Sequence, residues 1–226
     1  MQAEVRTHVV HSQLLKHIGP GATVVDVGGG DGRQSIPLSR LGHPVTIVEP
    51  SPLMREYARR RLEMESPEVG GRIRVLEGSS ESSSDVVGSQ KFEAVLCHGA
   101  LPCVEDPSLF VDSLYSLAAP GACISVIAKS GAALPIMAAH HGRWREVVEL
   151  FDADRVVNNM GVMTRADTIE NLSCIVERLG GTVDAWYGIA FFTQGDSSPR
   201  NSISDDAFEA ILAAEIEAVN AILFDN

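Results

Sequence analysis

Residues 26–32 read Asp-Val-Gly-Gly-Gly-Asp-Gly, directly behind the β-branched run Thr23 to Val27 and ahead of a segment able to form a helix. No other stretch restricts the fold so closely. Glycine reaches positive φ at no steric cost and has no Cβ. Gly28, Gly30 and Gly32 therefore allow a tight strand-to-helix turn whose backbone lies bare. Such a turn opens an α/β unit, and ligands of open α/β sheets approach that bare backbone.

The chain after this turn alternates short apolar β-branched runs with longer amphipathic stretches, the pattern of a parallel sheet covered by helices on both faces. The expected fold is a Rossmann-like α/β fold with a mostly parallel sheet. Strands are expected at Thr23 to Val27, Val45 to Val48, Arg72 to Leu76, Ala94 to Cys97 and Cys123 to Ala128. Ser51 before Pro52 and Asp106 before Pro107 each place a capping side chain ahead of a proline at the first helical position. In the second of these helices Leu109, Phe110, Leu114 and Leu117 form an apolar stripe, and Pro120-Gly121 marks a turn.

A helical, lid-like insertion is expected after the fifth strand, within residues 130–165, carried by Ile136, Met137, Trp144, Val147, Val148 and Phe151. Thr164, three residues before Asp167, resembles a capping box and should start a helix to Leu179, closed by Gly180-Gly181. A strand from Val183 to about Phe192 and a last helix from Asp205 to about Leu223 complete the reading. The segment GDSSPRNS before that helix reads as a flexible loop. With 226 residues and no internal repeat, a single domain over residues 1–226 is expected.

Eighteen Lys and Arg against 30 Asp and Glu give a formal charge of −12. A field of that sign repels phosphate backbones, so broad nucleic-acid affinity is disfavoured. No stretch approaches the apolar length of a membrane span and the N-terminus lacks a basic-then-apolar signal pattern, so no membrane partner and a cytoplasmic location are expected. Cys97, Cys103, Cys123 and Cys174 form no C-x-x-C pair, which suggests neither zinc nor disulfides.

A dinucleotide fingerprint would need glycine at 33, where this chain has Arg33, and no Gly-Lys-Ser/Thr follows to make a phosphate loop. Glu49 ends the second strand, where a carboxylate can accept both hydroxyl hydrogens of a ribose. His98 ends the fourth strand at the carboxyl edge of the sheet, the best polar candidate near a reacting group. The acid-x-G-x-G-x-G run from Asp26 resembles the first motif of class I S-adenosylmethionine-dependent methyltransferases. That resemblance implies S-adenosyl-L-methionine as cofactor, with Asp26, Gly28, Gly29, Gly30 and Glu49 at its site. It also places Glu77-Gly78-Ser79-Ser80-Glu81 where such enzymes grip adenine, through Ser80 and Glu81.

Three further pieces are similar to the bacterial tRNA carboxymethoxyuridine methyltransferases, over residues 3–152 well and the remainder loosely. They are R-x6-Q-L from Arg6, D-x-G-G-G-x-G from Asp26, and F-x-A-V-L-x-H-x-x-L-x-x-V-x-D-P from Phe92. The resemblance implies cofactor contacts at Arg6, Gly28, Gly29, Glu49, Ser80, Glu81 and His98, with Arg6 pairing with the methionine carboxylate. The chain departs from that family at Leu101-Pro102-Cys103-Val104, where relatives tend to carry Trp in L-x-W-V. It departs again at Arg155 to Met160, where a lysine-rich segment is expected. A seventh strand usual to class I enzymes is also not seen before Asn226, through truncation or a different closure of the sheet.

Two acceptor classes follow as expectations. A small polar or acidic molecule fits the acidic surface, and a tRNA wobble uridine fits the family resemblance. A non-catalytic adenosyl-ligand binding protein is the third reading. If the acceptor is a carboxylate, His98 positions it or contacts the cofactor. If it is a hydroxyl or amine, His98 is the general base. His140-His141 lack a third ligand for a metal, and Arg55 with Arg59-Arg60-Arg61 reads as the solvated face of a helix.

Overall fold

The computed structural model describes residues 2–140, 142–158, 161–190, 192–193 and 199–222. Their contacts group into two compact units, residues 20–183, and residues 1–19 together with 184–226.

The larger unit holds a five-stranded sheet. In chain order its elements are β1 (Val24–Val27), α2 (Ser35–Arg40), β2 (Val45–Glu49), α3 (Pro52–Leu62), α4 (Pro67–Gly71), β3 (Ile73–Glu77), α5 (Ser83–Val87), β4 (Phe92–Cys97), α6 (Pro107–Leu117) and β5 (Ala118–Val126). α1 (Gln2–Leu14) belongs to the other unit. The strand order is β3-β2-β1-β4-β5 and every pairing is parallel. The chain thus reverses its direction of travel across the sheet between β1 and β4, the switch point at which open α/β sheets bind ligands.

β1 and β2 are buried along their whole length, as strands covered on both faces must be. One face packs Val25, Val27, Val48, Val95 and Cys97 against Phe110, Val111, Leu114 and Leu117 of α6 and against Ile175. Leu109, expected in the α6 stripe, points outward and is exposed, and Val111 takes its place in the core. Both expected proline-led caps form: Ser51 Oγ accepts from Met54 N–H at 3.3 Å, and Asp106 Oδ1 accepts from Ser108 N–H at 2.7 Å. β5 begins five residues earlier than Cys123 and carries Pro120-Gly121 inside it.

The insertion is helical as expected, in two pieces, α7 (Leu134–His140) and α8 (Trp144–Leu150), with His141 outside the described residues. An antiparallel pair not expected from sequence follows, β6 (Arg155–Val157) and β7 (Met163–Arg165). Thr164 lies in β7 with its hydroxyl donating to Val156 O at 3.0 Å, so it caps no helix. α9 (Ile169–Arg178) starts instead behind Thr168, whose Oγ1 accepts from Asn171 N–H at 3.2 Å. It ends as expected at the glycine pair, Gly180 at φ 81°. The expected strand at 183–192 is absent among the described residues, where 182–190 form no ladder; Phe191 lies outside them.

The smaller unit packs Val5 and Val9 of α1 against Phe208 and Val219 of α10 (Asp205–Ile222), with Tyr187 and Ile189 alongside. Glu215 of α10 is buried and accepts from the N–H groups of Phe192 and Thr193 and from the Thr193 hydroxyl, each at 2.9 Å. Leu223, the expected end of the last helix, lies outside the described residues, as do Asn159, Met160 and the first half of the GDSSPRNS loop, whose second half makes a short 3-10 turn at Arg200–Ser202. No described helix is long and apolar enough to cross a membrane.

Candidate functional site

Parallel pairing of Val27 with Val48 and of Asp26 with Leu96, continued along the strands, sets Gly28 and His98, just past β1 and β4, level with Glu49, the last residue of β2. Three of the residues singled out from sequence therefore meet at the carboxyl edge around the switch point. The turn that follows β1 uses its glycines as expected: Gly28, Gly30 and Gly32 take φ of 72°, 57° and 79°. Gly28 N–H donates to Val48 O at 2.7 Å, tying the loop to β2. A Cβ on Gly30 would meet nothing within 4 Å, so this stretch of backbone faces open space.

Glu49 is buried and its carboxylate is held from two sides. Gly30 N–H donates to Oε2 at 2.9 Å and Ser51 N–H donates to Oε1 at 2.8 Å. Each carboxylate oxygen has room for a further hydrogen bond, so the group stays able to accept from a ligand while its rotamer is fixed. Arg55, read from sequence as solvated, is instead buried behind this strand end. Its Nη1 donates to Glu49 O at 2.9 Å and Pro50 O at 2.7 Å, and its Nη2 pairs with Glu77 Oε2 at 2.7 Å. The residue lies three positions before Ala58, the other buried residue of α3, and that i, i+3 spacing was the available signal for an inward arginine. Arg61 also departs from the solvated reading, since its Nη1 reaches Asp31 Oδ2 of the glycine loop at 2.9 Å; Arg59 and Arg60 are exposed as expected.

Asp26 lies beneath the loop, fully buried, with Ser35 Oγ donating to its Oδ2 at 2.7 Å. Burial pushes its carboxyl up to about 6, the Ser35 hydrogen bond opposes this, and the neighbouring Glu49 charge adds to the rise. A Cβ on Gly29 would sit 2.8 Å from the Asp26 carboxylate, so the middle glycine is required by contact with Asp26. Ser35 was not identified from sequence; a hydroxyl nine residues past a strand-end acid carries no pattern by itself.

Behind β3, Ser82 Oγ accepts from Ser79 N–H at 2.9 Å and Ser83 Oγ donates to Ser80 O at 2.7 Å, which fixes the loop holding Ser80 and Glu81. Glu81 is exposed, and the Ser79 hydroxyl with its own backbone N–H holds its carboxyl below the usual glutamate range. A Cβ on Gly78 would lie 3.0 Å from both Val48 and Val86, so this glycine lets the loop close against β2.

His98 Nε2 and Ser125 Oγ lie 2.9 Å apart, a bond that orients the imidazole from β5. Arg6 stands on the exposed side of α1, in the smaller unit. Cys97, next to His98, is buried and its thiol is pushed up to about 12 by that burial, so it is inert as a nucleophile.

Residues 25–126 match the family described as "Methyltransferase domain". The chain is 34% identical over 100 residues to the mitochondrial ubiquinone biosynthesis O-methyltransferase of Schizosaccharomyces pombe, covering 44% of this chain and 35% of that one. It is 35% identical over 102 residues to the ubiquinone biosynthesis O-methyltransferase of Xanthomonas campestris, covering 45% and 41%. The chain thus spans about two fifths of the length of these curated relatives. Among solved structures it resembles magnesium protoporphyrin IX methyltransferase from Synechocystis with bound S-adenosylhomocysteine, at TM-score 0.63 and 19% identity over 83% of this chain and 77% of the other. A glycopeptide N-methyltransferase aligns at TM-score 0.60 and 16% identity, covering 81% and 83%. These likenesses establish the Rossmann-like methyltransferase fold.

Proposed function

We propose that the chain is an S-adenosylmethionine-dependent methyltransferase that moves a methyl group to a small polar or acidic acceptor. The observation that carries this reading is the glycine loop at 28–32, open at Gly30, with the Glu49 carboxylate locked beside it by Gly30 and Ser51 N–H. The donor supplies a methyl group already activated by its sulfonium charge, so the protein has mainly to align an acceptor and exclude water.

Gly28 and Gly30 leave room for the adenosyl group while Gly29 seats the loop on Asp26, and the remaining lone pairs of Glu49 accept from the ribose hydroxyls. Ser80 and Glu81 hold the adenine; an ionised Glu81 is suited to accept from the exocyclic amine. His98, set by Ser125, takes the proton from a hydroxyl or amine acceptor, or only positions a carboxylate. The whole chain acts as one catalytic domain in this reading, with the insertion at 130–165 covering the acceptor. The family match ends at Val126, before that insertion, and the relatives' ubiquinone-biosynthesis names are consistent with a small organic acceptor.

Calorimetry with S-adenosylhomocysteine, followed by a methyl-transfer screen on small phenols, amines and acids, tests the proposal. Saturable heat that disappears in Glu49→Ala, with turnover of at least one acceptor, is the expected result. No heat removes the reading, and heat without turnover favours a non-catalytic binding protein. A tRNA wobble-uridine carboxyl methyltransferase is favoured by the motif that begins at Phe92 and opposed by the formal charge of −12. Filter retention of total tRNA that falls steeply with salt would transfer the proposal to RNA.

A further inference from the structure

The carboxyl edge between β4 and β5 carries a cation that the scheme above leaves unused. Ile127 N–H donates to Cys97 O at 3.1 Å, so β5 stays paired one residue past its last ladder position. Side chains of an extended chain alternate between faces. Ser125, Ile127 and Lys129 therefore share the face on which Ser125 meets His98. Past Lys129 the backbone is pinned: Asp167 N–H donates to Lys129 O at 2.8 Å and Gly131 N–H to Asp167 O at 3.0 Å.

Lys129 Nζ donates to Thr164 Oγ1 at 3.3 Å, and the Thr164 hydroxyl passes its own hydrogen to Val156 O. Asp167, whose backbone N–H pairs with Lys129 O, is already consumed. Arg165 Nε reaches both of its oxygens, at 3.0 and 3.1 Å, and Arg165 Nη2 adds a bond at 2.7 Å, while Nη1 is spent on Glu105 O. The arginine and aspartate cancel. Among the described residues no ion pair includes Lys129, so no carboxylate stands within ion-pair distance of its half-buried ammonium. Burial alone acts on it, lowering its pKa, which means that an arriving anion would recover part of a desolvation cost already incurred.

We infer that Lys129 is the charge-selecting residue of the acceptor site: it binds an anionic oxygen, of the carboxylate class, through the N–H groups not directed at Thr164. The inference rests on the methyltransferase reading for its site and adds to it both the residue and the charge of the ligand. A half-buried cation in a molecule of charge −12 also draws anions to one place on an otherwise repelling surface.

The test uses benzoate and its neutral isostere benzamide, titrated into the full-length protein with and without S-adenosylhomocysteine and followed by amide chemical shifts. Wild type should bind benzoate roughly tenfold more tightly than benzamide. Lys129→Met should bring benzoate down to the benzamide level, and Lys129→Arg should keep most of the preference. Unchanged S-adenosylhomocysteine binding and an unchanged urea midpoint in both variants separate charge selection from damage to the fold. Equal binding of the two probes by wild type, no benzoate binding, or a preference that survives Lys129→Met overturns the inference. Failure of S-adenosylhomocysteine to bind wild type is a separate outcome and removes the methyltransferase reading instead.

Discussion

Asp26 ties the chemistry of the loop to the stability of the molecule. Its folded-state pKa of about 6 stands above its unfolded value of 3.8, so the native state holds this proton more tightly than the unfolded chain does. The stability it contributes is complete below about pH 4 and is lost as pH rises through about 6, a loss of about 3 kcal/mol at most by linkage. Asn can accept from Ser35 as Asp does. The difference in unfolding free energy between Asp26→Asn and wild type should therefore grow between pH 4 and 7, in favour of Asn, in urea melts; a difference that stays level across that window contradicts the burial argument. Gly29→Ala drives a methyl group into the same carboxylate. It should cost about 1–3 kcal/mol and weaken S-adenosylhomocysteine binding in calorimetry. Some of this was legible in sequence: glycine at 28, 30 and 32 and acid at 49 announce themselves by residue type and strand-end position. The inward turn of Arg55 and the role of Ser35 were not, because each depends on what the folded sheet brings against it.

Among the elements, strands were the most legible. Five short β-branched runs separated by amphipathic segments admit little besides a parallel sheet, and proline behind Ser51 and Asp106 fixed two helix starts. The region after β5 was harder. Thr164 and Thr168 both precede plausible helical sequence, and only pairing of Met163–Arg165 with β6 takes the first out of contention. Thr168→Ala should destabilise the protein by about 1 kcal/mol, measurable as a lower urea midpoint with an unchanged slope, whereas a cap at Thr164 would leave that midpoint where it was. Val183 to Phe192 alternates like a strand, but a ladder needs a partner strand as well as a pattern, and residues 182–190 take no strand conformation. At the ends of β2 and β3, Arg55→Met should cost about 2 kcal/mol by leaving the carbonyls of Glu49 and Pro50 short of a donor. It should weaken donor-product binding in the same experiment, since Glu49 then loses its backing.

On the scale of the whole chain, acidity decides which partners can approach. With a net charge of −12, association with polyanions should be weak at all but the lowest ionic strength. The smaller unit has its own apolar centre, and Phe208 is central to it: its ring lies edge-on to His8 with centroids 5.8 Å apart and beneath the Arg200 guanidinium at 4.1 Å. Phe208→Ala should cost about 3–5 kcal/mol, read as a lower thermal midpoint. This unit unites α1 with α10, the earliest and the latest described segments to be synthesised. A nascent chain can close β1 to β5 while Val5 and Val9 still await Phe208 and Val219, so their greasy stripe stays unsheltered until the residues of α10 have been synthesised. Ribosome-stalled chains ending before Asp205 should accordingly be captured by chaperones through α1, and emergence of α10 should end that capture.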